Sequence, residues 1–165
     1  MLLPSTTVRT SMPSPLGRIV LSASVKGLSG VWFDGQKHMP HYERWPESSS
    51  NAHLCKAKVA LTSYFEKLVE DFDLPLDLDA GTAFQQKVWR ALLEIPFGKT
   101  VSYSQLSQSI GAPSAVRAVA GAVGRNPMSI LVPCHRVIGS NGTLTGYAGG
   151  LDRKLALLTL EGSFL

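Results

Sequence analysis

The sequence predicts an α+β fold in two domains, a small N-terminal domain of antiparallel strands with one helix and a mostly helical C-terminal domain. Short β-branched runs between turn signals occupy the first third of the chain. Apolar residues at helical spacing occupy the second half, where two short helices meet at a glycine in a helix-turn-helix layout. The composition changes character at Ala80-Gly81, so we place the domains at residues 1–81 and 82–165.

Two strands are predicted near the beginning of the chain. The turn signal Pro15–Gly17 precedes a β-branched run at Ile19–Leu21, and two glycines lead into a second apolar run at Val31–Phe33. Residues 35–51 are rich in proline, histidine and serine and are expected to form a loop. Its histidines, His38 and His41, are interpreted as surface residues, and a zinc site that they would form with His53 and Cys55 is the alternative.

One helix and one extended segment complete the N-terminal domain. Apolar side chains at helical spacing predict a helix over residues 52–69, and they are Leu54, Ala57, Leu61, Tyr64, Phe65 and Leu68. The next stretch, Phe72–Asp79, alternates strictly between apolar and polar residues. This alternation indicates an edge strand or an extended connector with one buried face. Cys55 borders the apolar face of the helix and is interpreted as a small core residue.

Four helices are predicted in the C-terminal domain. Thr82–Gln85 has the capping-box pattern, and the apolar spacing behind it indicates an amphipathic helix that ends before Pro96. A short helix begins near Tyr103, Gly111 interrupts it, and Pro113 opens the next helix. A final helix ends at Glu161 and has an apolar face that comprises Leu155, Leu158 and Thr159.

The exposed face of the second helix in the helix-turn-helix is unusually smooth. Small residues lie between two arginines on this face, in the set Arg117, Ala118, Gly121, Ala122, Gly124 and Arg125. A helix that reads base edges in the major groove normally presents long polar side chains, whereas small residues let a helix backbone approach a surface closely. The pattern favours a minor-groove DNA binder with little sequence preference. Helix–helix packing through the same small residues is the alternative.

The charge distribution favours a polyanionic partner for the second half. Residues 1–81 carry eight basic and nine acidic side chains, whereas residues 82–165 carry eight basic and three acidic ones, so the net charges are −1 and +5. The longest apolar runs are too short to span a membrane, so no membrane partner is expected. Two cysteines far apart in the sequence make no disulfide framework and indicate a reduced, cytoplasmic protein.

The segment ILVPCHRVIG, residues 130–139, carries the candidate nucleophile. Cys134 reacts as a thiolate, so a neighbouring group must accept its proton, and His135 is the obvious base. Adjacent side chains diverge on an extended segment, so we expect a water between the two groups. A carboxylate should fix the tautomer of the histidine, and Glu94, Asp152 and Glu161 are all available. The residues alone do not choose among these acids, and a buried, inert thiol is the structural alternative.

Several motifs together resemble one protein family. PCHRV at 133–137 is preceded by SYSQL and AVRAVAGAVGRNP and followed by VIGSNGTLTGYAGG and LLTLEG. This series is similar to the O6-alkylguanine-DNA alkyltransferases, also called methylated-DNA–protein-cysteine methyltransferases. The resemblance runs from residue 82 to the C-terminus and extends more weakly to the first half. It implies a ribonuclease H-like N-terminal domain and a winged-helix-like C-terminal domain.

The resemblance also implies roles for individual residues. Cys134 would accept the alkyl group, His135 would remove its proton through a water, and Glu161 would orient His135. Tyr103 would hydrogen-bond the extruded guanine, and Asn126 would support the turn before the cysteine. The implied contacts with DNA and the flipped base comprise Arg117, which would enter the duplex, together with Ala118, Gly121, Ala122, Arg125, Val137, Tyr147, Ala148 and Gly149.

The activity implied by the resemblance is direct-reversal DNA repair. The alkyl group of O6-alkylguanine, and of O4-alkylthymine, would pass to the cysteine once per protein molecule, after the base is flipped out through the minor groove. The protein would bind double-stranded DNA as a monomer, with scope for cooperativity, and would need no cofactor or metal ion. Two other classes fit part of the pattern. They are a cysteine hydrolase that uses Cys134 and His135, and a DNA-binding regulator with Cys134 as a redox sensor.

Overall fold

The computed structural model describes residues 5–164 and divides the chain into two compact units. The first unit ends at Ala80 and the second begins at Gly81. The predicted α+β fold is confirmed, because a small antiparallel sheet with a helix makes up the first unit and helices dominate the second. Across the described residues, none of the helices is long and apolar enough to cross a membrane.

The N-terminal unit is built on a three-stranded antiparallel sheet. Its strands are β1 (Val8–Met12), β2 (Ile19–Ala23) and β3 (Leu28–Phe33), in the order β1-β2-β3. Both predicted runs therefore lie in strands, and every residue of β2 and β3 is buried. Helix α1 (Ala52–Phe65) packs on the sheet, so the core of this unit lies between them.

Helix α1 is four residues shorter than the sequence pattern predicts. It ends at Phe65 rather than near residue 69, because Lys67 adopts a left-handed backbone with φ of 59°. The Leu68 N–H donates back to the Ser63 carbonyl at 2.9 Å, which is the six-to-one bond of a Schellman ending. Leu68 is consequently exposed rather than part of the core. Cys55 on α1 is also exposed, so its interpretation as a small core residue is wrong.

The alternating segment after α1 is an extended connector. Its backbone pairs with Leu28 through an isolated bridge, in which the Leu28 N–H donates to Pro75 at 2.9 Å and the Asp77 N–H donates to Leu28 at 2.6 Å. The alternation places Asp77 on the polar side, yet the structure buries it, and the Ser24 hydroxyl donates to its carboxylate. A hydrogen-bonded carboxylate is therefore part of how the connector is held against the sheet.

The C-terminal unit contains the predicted helices. They are α2 (Ala83–Leu92), α3 (Tyr103–Ser109), α4 (Val116–Gly124) and α5 (Leu151–Leu160), and two short strands, β4 (Val101–Ser102) and β5 (Val137–Ile138), pair in parallel. Both hydrogen bonds of the capping box between Thr82 and Gln85 are formed, so the predicted start of α2 is confirmed. Helices α3 and α4 form the helix-turn-helix, and Gly111 between them has a positive φ of 73°.

The predicted inner face of α5 is right at Leu158 and wrong at Leu155 and Thr159. Leu155 and Thr159 are exposed, whereas Lys154, Leu157 and Leu158 are buried. The helix turns a lysine towards the interior because backbone carbonyls converge there to accept its protons. This buried lysine lies beside the candidate nucleophile, as described below.

Candidate active site

The candidate nucleophile lies on a single 3-10 turn, Cys134–Arg136, that follows a buried segment. Cys134 is 6% exposed and His135 is 0% exposed. Asn126 braces the approach to the turn. Its side-chain amide donates to the Val132 carbonyl at 2.8 Å, and its side-chain oxygen accepts from the Met128 N–H at 2.9 Å. These bonds are the contacts expected of a residue that supports the turn before the cysteine.

Glu161 is the acid that contacts His135. The two side chains meet at 2.7 Å between Nε2 and Oε1, and both are buried. The other two acids considered from the sequence, Glu94 and Asp152, are exposed. Glu161 reaches His135 because it caps the C-terminus of α5, which packs on the turn that carries the histidine.

The same carboxylate is held by a residue that the sequence argument did not single out. Arg136 donates from Nε to one oxygen of Glu161 at 2.9 Å and from Nη2 to the other at 3.0 Å. Burial alone would raise the pKa of Glu161, but hydrogen bonds from His135 and Arg136 outweigh it and lower this pKa from 4.5 to about 2. Glu161 is therefore an anion at every physiological pH.

A Glu161→Gln variant should change the acid stability of the protein. The folded pKa of Glu161 is depressed, so its stabilising contribution is present above pH 4.5 and is lost as the pH falls towards about 2. This group should account for about 3 kcal/mol of the fall in unfolding free energy across that window. Denaturant unfolding at several pH values measures the fall, which the Gln variant should lack.

The exposed Glu94 supplies the matched control for this measurement. Glu94→Gln should keep the acid dependence of the wild-type chain. Parallel curves for Glu161→Gln and the wild type between pH 4.5 and 2 would contradict the assignment. At neutral pH the Glu161 variant should also be less stable by about 3–5 kcal/mol, because it leaves the buried Arg136 cation uncompensated.

The Cys134 thiol and the His135 imidazole are both uncharged at neutral pH. Burial raises the pKa of the Cys134 thiol, although a hydrogen bond with Asn126 and the positive charge of Lys154 oppose the rise. Burial also lowers the pKa of His135, against the pull of Glu161. Because the Nε2 atom faces a carboxylate, it carries the proton, and Nδ1 is the basic nitrogen. Nδ1 makes no hydrogen bond within the part of the chain that the structure describes.

Lys154 is the functional candidate that sequence reasoning missed. Its ammonium is fully buried and donates to the carbonyls of Val137, Thr145 and Gly146 at 2.5, 2.9 and 3.2 Å. Burial lowers the pKa of Lys154 to about 8, and the nearby Cys134 opposes the fall. Lysine is rarely fully buried, so nothing in the local sequence signals this position.

Tyr103 and the loop after the turn lie within reach of the same lysine. The Tyr103 hydroxyl donates to the Thr145 carbonyl at 3.0 Å, and the Lys154 Nζ lies 5.9 Å from the centre of the Tyr103 ring. Tyr147 has a buried hydroxyl, and burial raises its pKa, with a further contribution from Cys134. The structure therefore brings Tyr103, Lys154 and the 145–149 loop together around the thiol.

Three other residues named from the resemblance lie at the edge of this cluster. Val137 is buried, and its N–H donates to the Cys134 carbonyl while its carbonyl accepts from Lys154. Ala148 is half-buried and Gly149 is buried.

The smooth face of α4 is largely as predicted, with one correction. Arg117, Ala118, Gly121 and Arg125 are exposed. Ala122 is only 4% exposed, so its placement on the outer face is wrong. The reason is that α2 packs against this side of α4, where the Trp89 indole donates to the Ala122 carbonyl at 2.8 Å.

The glycines of α4 do not serve internal packing. A Cβ atom built on Gly121 or Gly124 would have nothing within 4 Å, so a larger residue would fit at either position. Helix–helix packing through small residues therefore does not explain them. They leave an exposed helix surface without protruding side chains, and the arginines Arg117 and Arg125 lie near its two ends.

Comparison with known proteins matches both units of the chain to one protein family. A family model described as "6-O-methylguanine DNA methyltransferase, DNA binding domain" matches residues 83–163, and one described as its "ribonuclease-like domain" matches residues 7–78. A methylated-DNA–protein-cysteine methyltransferase of Mycobacterium leprae is 47% identical over 92% of this chain and 90% of its own. A methylated-DNA–protein-cysteine methyltransferase of Methanosarcina barkeri is 48% identical over 90% of this chain and 92% of its own.

Solved structures agree with the sequence relatives. The Mycobacterium tuberculosis protein described as "OGT in complex with DNA" superposes with a TM-score of 0.87 at 44% identity, over 94% of this chain and 93% of that chain. Fold and site together define a two-unit protein with a ribonuclease-like N-terminal unit, a helix-turn-helix and a buried Cys–His–Glu arrangement. The chain belongs to the 6-O-methylguanine DNA methyltransferase family.

Proposed function

We propose that this protein repairs double-stranded DNA by transferring the alkyl group of O6-alkylguanine, and of O4-alkylthymine, to Cys134. The observation that carries the proposal is the buried series of Cys134, His135 and Glu161 in a chain of this family. Such a series lets a neutral histidine take the proton of a neutral thiol when the substrate arrives.

The transfer balances without a cofactor. The thiol proton passes through a water to Nδ1 of His135, the sulfur forms a bond to the alkyl carbon, and the bond between that carbon and O6 breaks. The guanine leaves with the electron pair of the broken bond, assisted by a hydrogen bond from Tyr103, and takes up one proton on its ring, while the His135 imidazolium returns its proton through water. A thiolate suits this attack because sulfur is a soft nucleophile and the target carbon is saturated. The product is a thioether, which water does not release, so each molecule acts once.

The exposed face of α4 supplies the contact with DNA. Its small residues allow close approach to the minor groove, while Arg117 enters the duplex in place of the flipped nucleotide and Arg125 pairs with phosphate. Ala118 and Gly121 line the approach, and the buried Ala122 supports it from inside. Because these contacts read little sequence, binding should depend on salt more than on base order.

The flipped base would be held by the loop after the turn. Tyr147, Ala148 and Gly149 would close over it, and backbone groups of Val137 would contact its edge. Tyr103 gives up its bond to the Thr145 carbonyl to reach the guanine ring. We further infer a cytoplasmic monomer that assembles on DNA, in keeping with its two free thiols.

Mass spectrometry of the whole protein tests this function. Incubation with a duplex that carries one O6-methylguanine should add one methyl group per chain, located on the peptide that contains Cys134. Cys55 is an internal control, because it is exposed whereas Cys134 is buried, so nonspecific alkylation would label Cys55 first. An unmodified duplex should add nothing.

The outcome separates the proposal from the two other classes. Release of product beyond one equivalent would favour a cysteine hydrolase. A strong preference for one DNA sequence with no methyl uptake would favour a redox-sensing regulator. An unmodified chain in reducing buffer, with its fold verified, would refute the proposal.

A further inference from the structure

The guanidinium of Arg136 makes several specific contacts. It donates hydrogen bonds to both oxygens of Glu161 and, from Nη1, to the Ile95 carbonyl at 2.6 Å, and it lies 5.8 Å from the centre of the Phe97 ring. A planar guanidinium fits a carboxylate with two parallel bonds and fixes its orientation. The carboxylate that touches His135 is therefore held from behind by the next residue on the same turn.

The segment after α2 is shaped around this ion pair. Ile95 provides the carbonyl and Phe97 provides the ring. Gly98 lies so close to Glu161 that a Cβ atom on residue 98 would be 3.1 Å from the backbone carbonyl oxygen of Glu161. Gly98 also has a positive φ of 75°, which favours glycine. The contacts of Arg136 thus come from two separate parts of the unit, the segment after α2 and the C-terminal end of α5, and they hold one guanidinium.

We propose that Arg136 is a positioning residue for alkyl transfer, which holds Glu161 so that His135 stays neutral with Nδ1 as its proton-accepting nitrogen. This inference rests on the proposed function and deepens it. A carboxylate alone would draw His135 towards the imidazolium form, which cannot accept a proton from a thiol. Arg136 offsets that pull without removing the bond that sets the tautomer.

The charges around His135 support these separate roles, in which Glu161 sets the tautomer and Arg136 keeps the imidazole neutral. Lys154 faces His135 from α5, and Glu161 faces it from the C-terminal cap of that helix. Arg136 and Cys134 lie beside His135 on the same turn. Burial lowers the pKa of His135 most, Glu161 raises it, and both Arg136 and Lys154 lower it. Loss of the arginine charge removes one of the two cations that oppose Glu161.

The test combines a charge-removing variant with a charge-keeping one. In Arg136→Gln, the titration midpoint of His135 and the acid limb of the transfer rate should both move up by about one pH unit or more. In Arg136→Lys the midpoint should stay in place while the rate falls at every pH, because one ammonium does not hold both oxygens. Rates are measured with free O6-methylguanine base, and nitrogen NMR of the labelled whole chain gives the midpoint and the tautomer.

Arg90→Gln is the matched control, because Arg90 is exposed on α2 and bonds only to Gln86 among the contacts described. It should change neither the midpoint nor the rate. An unmoved midpoint and acid limb in Arg136→Gln would overturn the proposal and leave Arg136 a structural residue. A wild-type His135 that is charged at pH 7, or protonated on Nδ1, would overturn it without any variant. The NMR result needs no substrate, so it stands apart from a failure of alkyl transfer.

Discussion

A Cys134→Ser variant is expected to accept no alkyl group from O6-methylguanine DNA in the time that the wild-type chain needs to react completely. The expected loss is at least about 1,000-fold, because a serine hydroxyl is a far weaker acid and a harder nucleophile than a thiol. Burial lowers the pKa of His135, which makes it a weaker base, so it deprotonates a hydroxyl far less readily than a thiol. Intact-mass spectra over time measure the loss.

The fold and DNA binding of this variant should remain. Oxygen is smaller than sulfur and keeps the hydrogen-bonding capacity of the side chain, so the unfolding free energy should fall by about 1 kcal/mol. Salt-dependent binding to an unmodified duplex should match the wild type, since α4 is untouched. Cys55→Ser is the matched control and should transfer normally. Methyl uptake by a folded Cys134→Ser chain would show that another residue is the acceptor.

Local chemistry explains why much of the C-terminal unit could be predicted. The capping box at Thr82 and Gln85 is a short-range pattern, and its two hydrogen bonds form as the sequence indicates. The same holds for Gly111, whose positive φ lets the chain turn between α3 and α4. In each case a few neighbouring residues determine the structure, so the sequence contains the whole signal.

Where tertiary contacts determine the structure, the sequence pattern gave a wrong prediction or none. Strand β1 is only partly buried and was not predicted, because it exists through its pairing with β2. Ala122 looks like the other small residues of α4, yet the indole of Trp89, 33 positions earlier, covers its carbonyl side. Small residues show no apolar periodicity strong enough to tell the two faces apart.

The candidate site was predictable as a motif and not as an arrangement. Cys134 and His135 are adjacent in the sequence, but the choice of Glu161 over Glu94 and Asp152 came from a family resemblance and depends on how α5 packs. Arg136 was in view within the same motif. Its importance appears only when the carbonyl of Ile95, 41 positions away, and Glu161, 25 positions away, are brought to it.

Lys154 was also missed because its burial depends on tertiary contacts. Burying its ammonium lowers the stability of the folded protein, and this effect can be measured. The lowered pKa of about 8 means that the folded protein binds this proton less readily than the unfolded chain does. The unfolding free energy should therefore rise with pH between about 8 and 10.5, by about 3 kcal/mol from this group alone. A buried lysine that costs stability is typical of a functional position.

Lys154→Met should consequently separate activity from stability. The rate of transfer from free O6-methylguanine base should fall by about 100-fold or more, because the variant loses a positive charge beside Cys134 and the donor that holds the Thr145 and Gly146 carbonyls. The unfolding free energy at pH 7 should change by no more than about 1 kcal/mol, since loss of the desolvation cost offsets loss of the hydrogen bonds. Its rise above pH 8 should disappear.

Lys87→Met is the matched control, because Lys87 is exposed on α2, and it should leave both the rate and the pH dependence of stability unchanged. Single-turnover rates and denaturant unfolding at pH 7 to 10.5 provide the two readouts. If Lys154→Met instead lost stability and activity in proportion, the lysine would hold the fold together rather than serve the thiol. If activity survived, the field of Lys154 at Cys134 would have no part in the transfer, and activation of the thiol would rest on His135 and Glu161 alone.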